Sequence, residues 1–172
     1  MTHAPSSVAG IRVPDTALAR EATELVRDTT SELVFHHSRR VFWFGALQGR
    51  NRDLGYDPEL LYIGAMFHDL GLGERFRTSG RRFEVDSADE ARRFLQEHHV
   101  PEDSGRRVWT AVALHTTPGI PEHMEPEVAL VTYRISNAAT SSVRSSTPPG
   151  RNEPDRRLAV PPKGAGRVSG PG

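Results

Sequence analysis

Three places in the chain put ionisable side chains where an apolar helix face should be. His37 follows Leu33 and Val34 and precedes Val41 and Phe44, so helical spacing places it on the same stripe as these apolar residues. His68 and Asp69 close the apolar run Glu59-Leu60-Leu61-Tyr62-Ile63-Gly64-Ala65-Met66-Phe67. His115 closes Val108-Trp109-Thr110-Ala111-Val112-Ala113-Leu114, again with apolar residues on its side. Neutral imidazole nitrogen and carboxylate oxygen together form a common ligand set for a divalent transition metal. Successive positions on a helix diverge by about 100°, so His68 and Asp69 reach one ion only near a helix end. Gly71 is expected to supply that end. For each residue there is a plainer reading. A lone core histidine satisfies its nitrogens on backbone carbonyls, which for His115 means a carbonyl near Pro118. Asp69 alone could bond amides in the following turn.

Other polar residues sort around these. Arg40, three residues after His37, is expected beside the site, where a guanidinium would clamp an anionic or polar substrate. Arg39 and His36 are expected on the solvated side. Thr116 and Thr117 either cap the break before Pro118 or donate to a ligand. His98 and His99 suit a helix C-terminus as cations, and His3 and His123 lie in loops.

The elements that must position these groups are helical. Asp15 is expected to cap a first helix carrying Leu18, Ala22 and Leu25 on one stripe. Thr29 with Glu32 is read as a capping box for a second helix running to about Gln48. Asp57-Pro58-Glu59 combines a cap, proline at the first helical position and an acid in the first turn, and starts a third. Ser87 with Glu90 is read as a capping box for a fourth. A fifth spans roughly residues 103–116, and a sixth begins at Glu125. No strand alternation and no internal repeat is evident. The expected fold is all-α, a bundle of five or six helices over residues 15–133, preceded by a loose leader at 1–14.

After Tyr133 the character changes. Residues 134–172 hold seven Lys/Arg against two Asp/Glu, are rich in Ser, Pro and Gly, and contain almost no large apolar side chains. Such a segment cannot offset its ordering entropy by burial, and is expected to be a disordered tail. A shifted reading frame in a GC-rich gene encodes this composition; native divergence is the alternative.

Bulk properties exclude several classes. The 172 residues carry no net charge and no cysteine, which removes disulfides and thiolate metal sites and suits a reducing cytoplasm. No apolar run approaches the roughly 20 residues of a membrane span, and no signal peptide is evident. The tail has spread arginines without aromatics, so no specific nucleic-acid binding is expected. The expected partner is a small-molecule substrate, and a homo-oligomer is compatible with the sequence.

With His37, then His68-Asp69 about thirty residues later, the chain resembles the HD-domain superfamily of metal-dependent hydrolases. "HHSRRVFWFG", "YDPELLYIGAMFHDLGL", "RRFEVDSADEARRFL" and "VWTAVALHTT" resemble successive helices of the branch related to cyanamide hydratase, covering about residues 31–133. The resemblance implies that His37, His68 and Asp69 ligate a divalent ion (Zn, Fe or Mn). With an ion held there, Asp69, Arg40 and His115 are expected to serve catalysis, and Arg40, His115 and Thr116 to contact substrate. The implied reaction is attack by a metal-activated water on a nitrile-like or amide substrate, or on a phosphate ester. The pattern also asks for a fourth ligand, a distant Asp after "EPEVALVTY". This chain reads "RISNAATSSV" there, and its next acids are Glu153 and Asp155. The competing expectation is therefore an impaired or inactive HD fold.

Overall fold

A computed structural model describes residues 7–132. The expected disordered tail at 134–172 lies outside the described residues. So do residues 1–6 of the leader. Six α-helices occur among the described residues: α1 (Ala17–Thr29), α2 (Glu32–Asn51), α3 (Pro58–Phe67), α4 (Phe83–Glu97), α5 (Glu102–Ala113) and α6, described over 126–132. The all-α expectation holds, with one small addition. Ser7–Val8 pairs antiparallel with Ile11–Arg12. Ala9 and Gly10 take positive φ at its turn, and the Arg50 guanidinium donates to the Ala9 carbonyl at 2.6 Å. Two-residue strands are too short to leave an alternation in the sequence.

Helix α3 is the axis of the molecule. Asp57 Oδ1 accepts from the amides of Glu59 and Leu60 at 2.9 and 3.2 Å, and Pro58 opens the first turn. Every residue from Leu60 to Phe67 is buried. A helix apolar all round must be surrounded, and α1, α2, α4 and α5 all pack against it. The Phe42 and Tyr62 rings meet edge-to-face at 5.0 Å, and Phe67 lies 5.2 Å from Phe94. The Tyr62 hydroxyl, carried inside by this packing, pairs with Thr23 of α1 at 2.7 Å.

Three expected caps fall elsewhere. Thr16, not Asp15, caps α1, its hydroxyl accepting from the Ala19 amide at 3.1 Å. Ser31, not Thr29, caps α2 by accepting from Val34 at 3.3 Å. Ser87 does not cap α4, which starts four residues earlier. It is buried inside that helix, and its hydroxyl accepts from the Gly71 amide at 2.7 Å. A serine three residues before a glutamate satisfies the capping pattern locally, but here a tertiary partner claims it.

Gly71 does not terminate α3 either. The helix ends at Phe67, and Gly71 sits in a 3₁₀ turn (Leu70–Leu72) at ordinary negative φ. Its glycine is needed for close approach: a Cβ there would run into the Phe83 carbonyl oxygen, with the carbonyl carbon at 2.9 Å and Ser87 Oγ at 3.0 Å. Gly71→Ala is therefore expected to cost about 2–3 kcal/mol by overpacking against backbone, read as a lower urea midpoint at unchanged m-value.

One titratable contact ties α1 to α4. His98 caps the C-terminus of α4, with Nδ1 on the Phe94 carbonyl at 2.8 Å and Nε2 on Glu21 Oε2 at 2.7 Å. The Glu21 carboxylate first, and the Phe94 carbonyl second, raise its pKa above the ordinary 6.5. A raised histidine pKa stabilises the fold fully below 6.5, and that contribution is lost as pH rises through the folded value. Urea unfolding at pH 5.5 and 8.5 should show wild type losing up to about 1 kcal/mol relative to His98→Gln, the bound set by partial exposure.

Candidate metal centre

The site forms where α3 stops. His68 still has helical φ and ψ (−55°, −35°), while Asp69 has left the helix at −107°, 10°. This break removes the 100° divergence between neighbours, so both side chains turn toward one point. His68 is fully buried. Its Nδ1 faces the Ala65 carbonyl three residues back at 2.8 Å. Nδ1 is therefore the protonated nitrogen of the neutral ring, and Nε2 carries the lone pair. That lone pair points at Asp69 Oδ2, 3.0 Å away, and finds no hydrogen-bond partner.

His37 arrives from α2, with Nε2 3.6 Å from the same Asp69 oxygen and its ring 5.1 Å from that of His68. The sequence placed His37 on the core face of α2, and this is corrected. The buried face carries Phe35, Ser38, Val41, Phe42 and Ala46, whereas Leu33 is 74% exposed and His37 is partly exposed. His37 flanks the buried stripe, which opens the site to solvent on that side.

His115 closes the opposite side. It lies two residues past the end of α5 and is buried. Its Nδ1 faces the Val112 carbonyl at 2.6 Å, not a carbonyl near Pro118. Its Nε2 lies 3.3 Å from Asp69 Oδ1, and its ring meets that of His68 edge-on at 4.9 Å. His68 and His115 are thus oriented by the same device, a carbonyl three residues back, and each aims a lone pair at one oxygen of the same carboxylate.

Such an arrangement needs positive charge. Neutral imidazole nitrogens facing a carboxylate place acceptor against acceptor, which is costly when buried. Protons on the ring nitrogens relieve it. Burial pushes the Asp69 carboxyl up, but when the His115 and His68 Nε2 atoms carry protons, their bonds and charge outweigh burial and hold that carboxyl well below the usual carboxylate range. A cation among the acceptors relieves it equally. Ligand atoms of His37, His68 and Asp69 all lie within 4.8 Å of one another. Ligands about 2.1 Å from a common ion lie about 3.0–3.4 Å apart at adjacent positions; the His68–Asp69 separation of 3.0 Å falls in that range and the His37–Asp69 separation of 3.6 Å is slightly wider. The donor set fits a divalent metal.

The remaining expected site residues differ in setting. Arg40 is exposed on α2. Thr116 follows His115, and its hydroxyl donates to Glu84 Oε1 at 2.6 Å. The sequence reading passed over α4's first turn, where the Phe83 ring meets that of His115 at 5.6 Å and Glu84 is buried. The usable signal was an acid within an apolar helix start, "RRFEVD".

An all-helical bundle with His37 on one helix and a His-Asp pair ending the central one is the arrangement of HD domains. The HD domain family matches residues 34–144, and the chain belongs to that family. No curated protein matches the chain. Among the described residues no helix is long and apolar enough to cross a membrane.

Proposed function

We propose that the protein is a metal-dependent hydrolase in which His37, His68 and Asp69 hold one divalent ion. The observation that carries this reading is the fully buried His68 Nε2. It has no hydrogen-bond partner and is aimed at a carboxylate that His37 approaches from the other side. Three protein ligands leave positions open, as catalytic sites do and closed structural sites do not. The ion would lower the pKa of a coordinated water toward neutrality and polarise the substrate.

The chain's own residues do the rest. Backbone carbonyls at Ala65 and Val112 fix both buried imidazoles in the tautomer that presents Nε2. The His115 Nε2 lone pair, on the Oδ1 side of Asp69, is placed to take a proton or to accept from substrate. The partly exposed His37 side admits substrate. The resemblance of "HHSRRVFWFG" and "YDPELLYIGAMFHDLGL" to the cyanamide hydratase-related branch favours water addition to a nitrile-like carbon, giving an amide or urea. Phosphate-ester hydrolysis is the second reading, favoured by the guanidinium of Arg82 near Thr116.

Turnover is expected to be low. Residues 134–144, the end of the family match, hold no Asp or Glu to serve as a fourth ligand. Elemental analysis, with assays on a nitrile panel and p-nitrophenyl phosphate, tests the reading. Stoichiometric metal with turnover that chelator abolishes supports it. Absence of both leaves a catalytically impaired HD fold. In the metal-free protein, zinc at a hundredfold excess over Kd should raise Tm by roughly 5–10 °C, since binding to the folded state alone adds about 2.7 kcal/mol.

A further inference from the structure

Phe83 touches both halves of the proposed metal centre. Its ring packs on His115, and its carbonyl is closely approached by Gly71, two residues after Asp69. The residue before it, Arg82, is thereby fixed at the edge of the site. Its guanidinium is held on one side only. Nε and Nη2 donate to Glu84 at 3.3 and 2.6 Å, and Nη2 lies 3.5 Å from Thr116 Oγ1, next in the chain to His115. Nη1 has no partner among the described residues, and the side chain is 70% exposed.

Glu84 shows how firmly this guanidinium is aimed. The carboxylate is buried and ionised: Arg82 first, against burial and with help from Thr116, draws its pKa down to about 2. Thr116 has given its hydroxyl hydrogen to Glu84, so its oxygen offers lone pairs toward the arginine. Both groups flanking the guanidinium are acceptors. Neither competes for the N–H groups of Nη1.

We propose that Arg82 is the substrate-positioning residue of the site, its Nη1 N–H groups taking an oxyanion of the substrate, phosphate or carboxylate, while Glu84 and Thr116 hold the guanidinium. The inference rests on His37, His68 and Asp69 being the reacting centre. Because Glu84 offsets the charge of Arg82, recognition works through directed hydrogen bonds more than net charge, and the fork geometry of arginine is what lysine cannot supply.

The test is binding of inorganic phosphate and of formate, followed by NMR of ¹⁵N-labelled arginine side chains in metal-free and zinc-loaded full-length protein. Arg82 resonances should shift on titration in both forms. The phosphate and formate arms tell a tetrahedral from a planar oxyanion. Arg82→Gln should weaken binding roughly tenfold, Arg82→Lys should weaken it less while keeping the pair with Glu84, and Arg77→Gln should leave it unchanged as a control for lost surface charge. Because Arg82→Gln leaves Glu84 unpaired, the lysine variant keeps the test open if the glutamine variant unfolds. Unshifted Arg82 resonances, or equal losses in Arg77→Gln and Arg82→Lys, overturn the inference. Failure to bind zinc with anion binding intact would instead count against the metal-centre reading alone.

Discussion

Asp69→Asn should abolish stoichiometric metal binding and yet leave the metal-free protein at least as stable as wild type. Asparagine keeps the shape of the side chain but removes the charge that offsets a divalent ion. Changes one shell further out cost 10–100-fold in affinity, so loss of a ligand carboxylate should cost at least about 100-fold. In the metal-free state the effect reverses. One oxygen of Asp69 faces the Nε2 lone pair of His68, with His37 Nε2 3.6 Å from the same oxygen, and the other faces the Nε2 lone pair of His115. An amide Nδ2 converts one of these opposed acceptor pairs into a hydrogen bond worth up to about 1 kcal/mol. Zinc titration followed by calorimetry, and urea unfolding in chelator at pH 8, read the two effects separately. Were Asp69 a structural carboxylate bonded by imidazolium donors, the same substitution would lower stability, and the opposite signs would not appear.

That prediction depends on features the sequence displays unequally. Asp57-Pro58-Glu59 declared the start of α3 because cap, proline and acid act within one turn, and the observed cap bonds are the local ones expected. The His-Asp pair was visible for a related reason: two ionisable groups ending a wholly apolar run have no local explanation. The metal-capable grouping of His37, His68 and Asp69 then follows from packing α2 on α3. What was illegible is tertiary. Ser87 reads as a cap from its neighbours, but it is the Gly71 amide from a distant turn that uses it. Gly71 reads as a helix stop, but its small size makes room for the Phe83 carbonyl, twelve positions further along the chain. Leu33 counts as core in any helical-wheel argument, yet it is exposed, because which face of α2 is covered is decided by the helices packed on it and not by a pattern within α2. Glu84 escaped notice because a glutamate in a first helical turn is unremarkable until its burial and its bond from Thr116 reveal its setting.

Glu127→Ala should be the most destabilising change away from the site. Glu127 lies in the first turn of α6 and is buried. Its Oε1 accepts from the Asp57 amide at 2.7 Å, and its Oε2 lies 3.4 Å from Arg107 Nη1 of α5. One carboxylate thus joins three helices at the end of α3 opposite the metal centre. Alanine would strand the Asp57 amide and leave the largely buried Arg107 with only its ion pair to Asp103 at 3.5 Å and its bond to Ser104 at 3.4 Å. Removing one member of a buried pair costs about 3–5 kcal/mol, more than replacing both with apolar groups. The double variant Glu127→Leu with Arg107→Leu should therefore recover part of the loss. Because α3 is rigid and buried throughout, its far end should hold, so zinc affinity in folded Glu127→Ala should stay within a few-fold of wild type. Urea midpoints with zinc calorimetry separate the two effects. A large loss of affinity at unchanged midpoint would mean that the N-terminus of α3 and the His68-Asp69 end are not joined as a single rigid element.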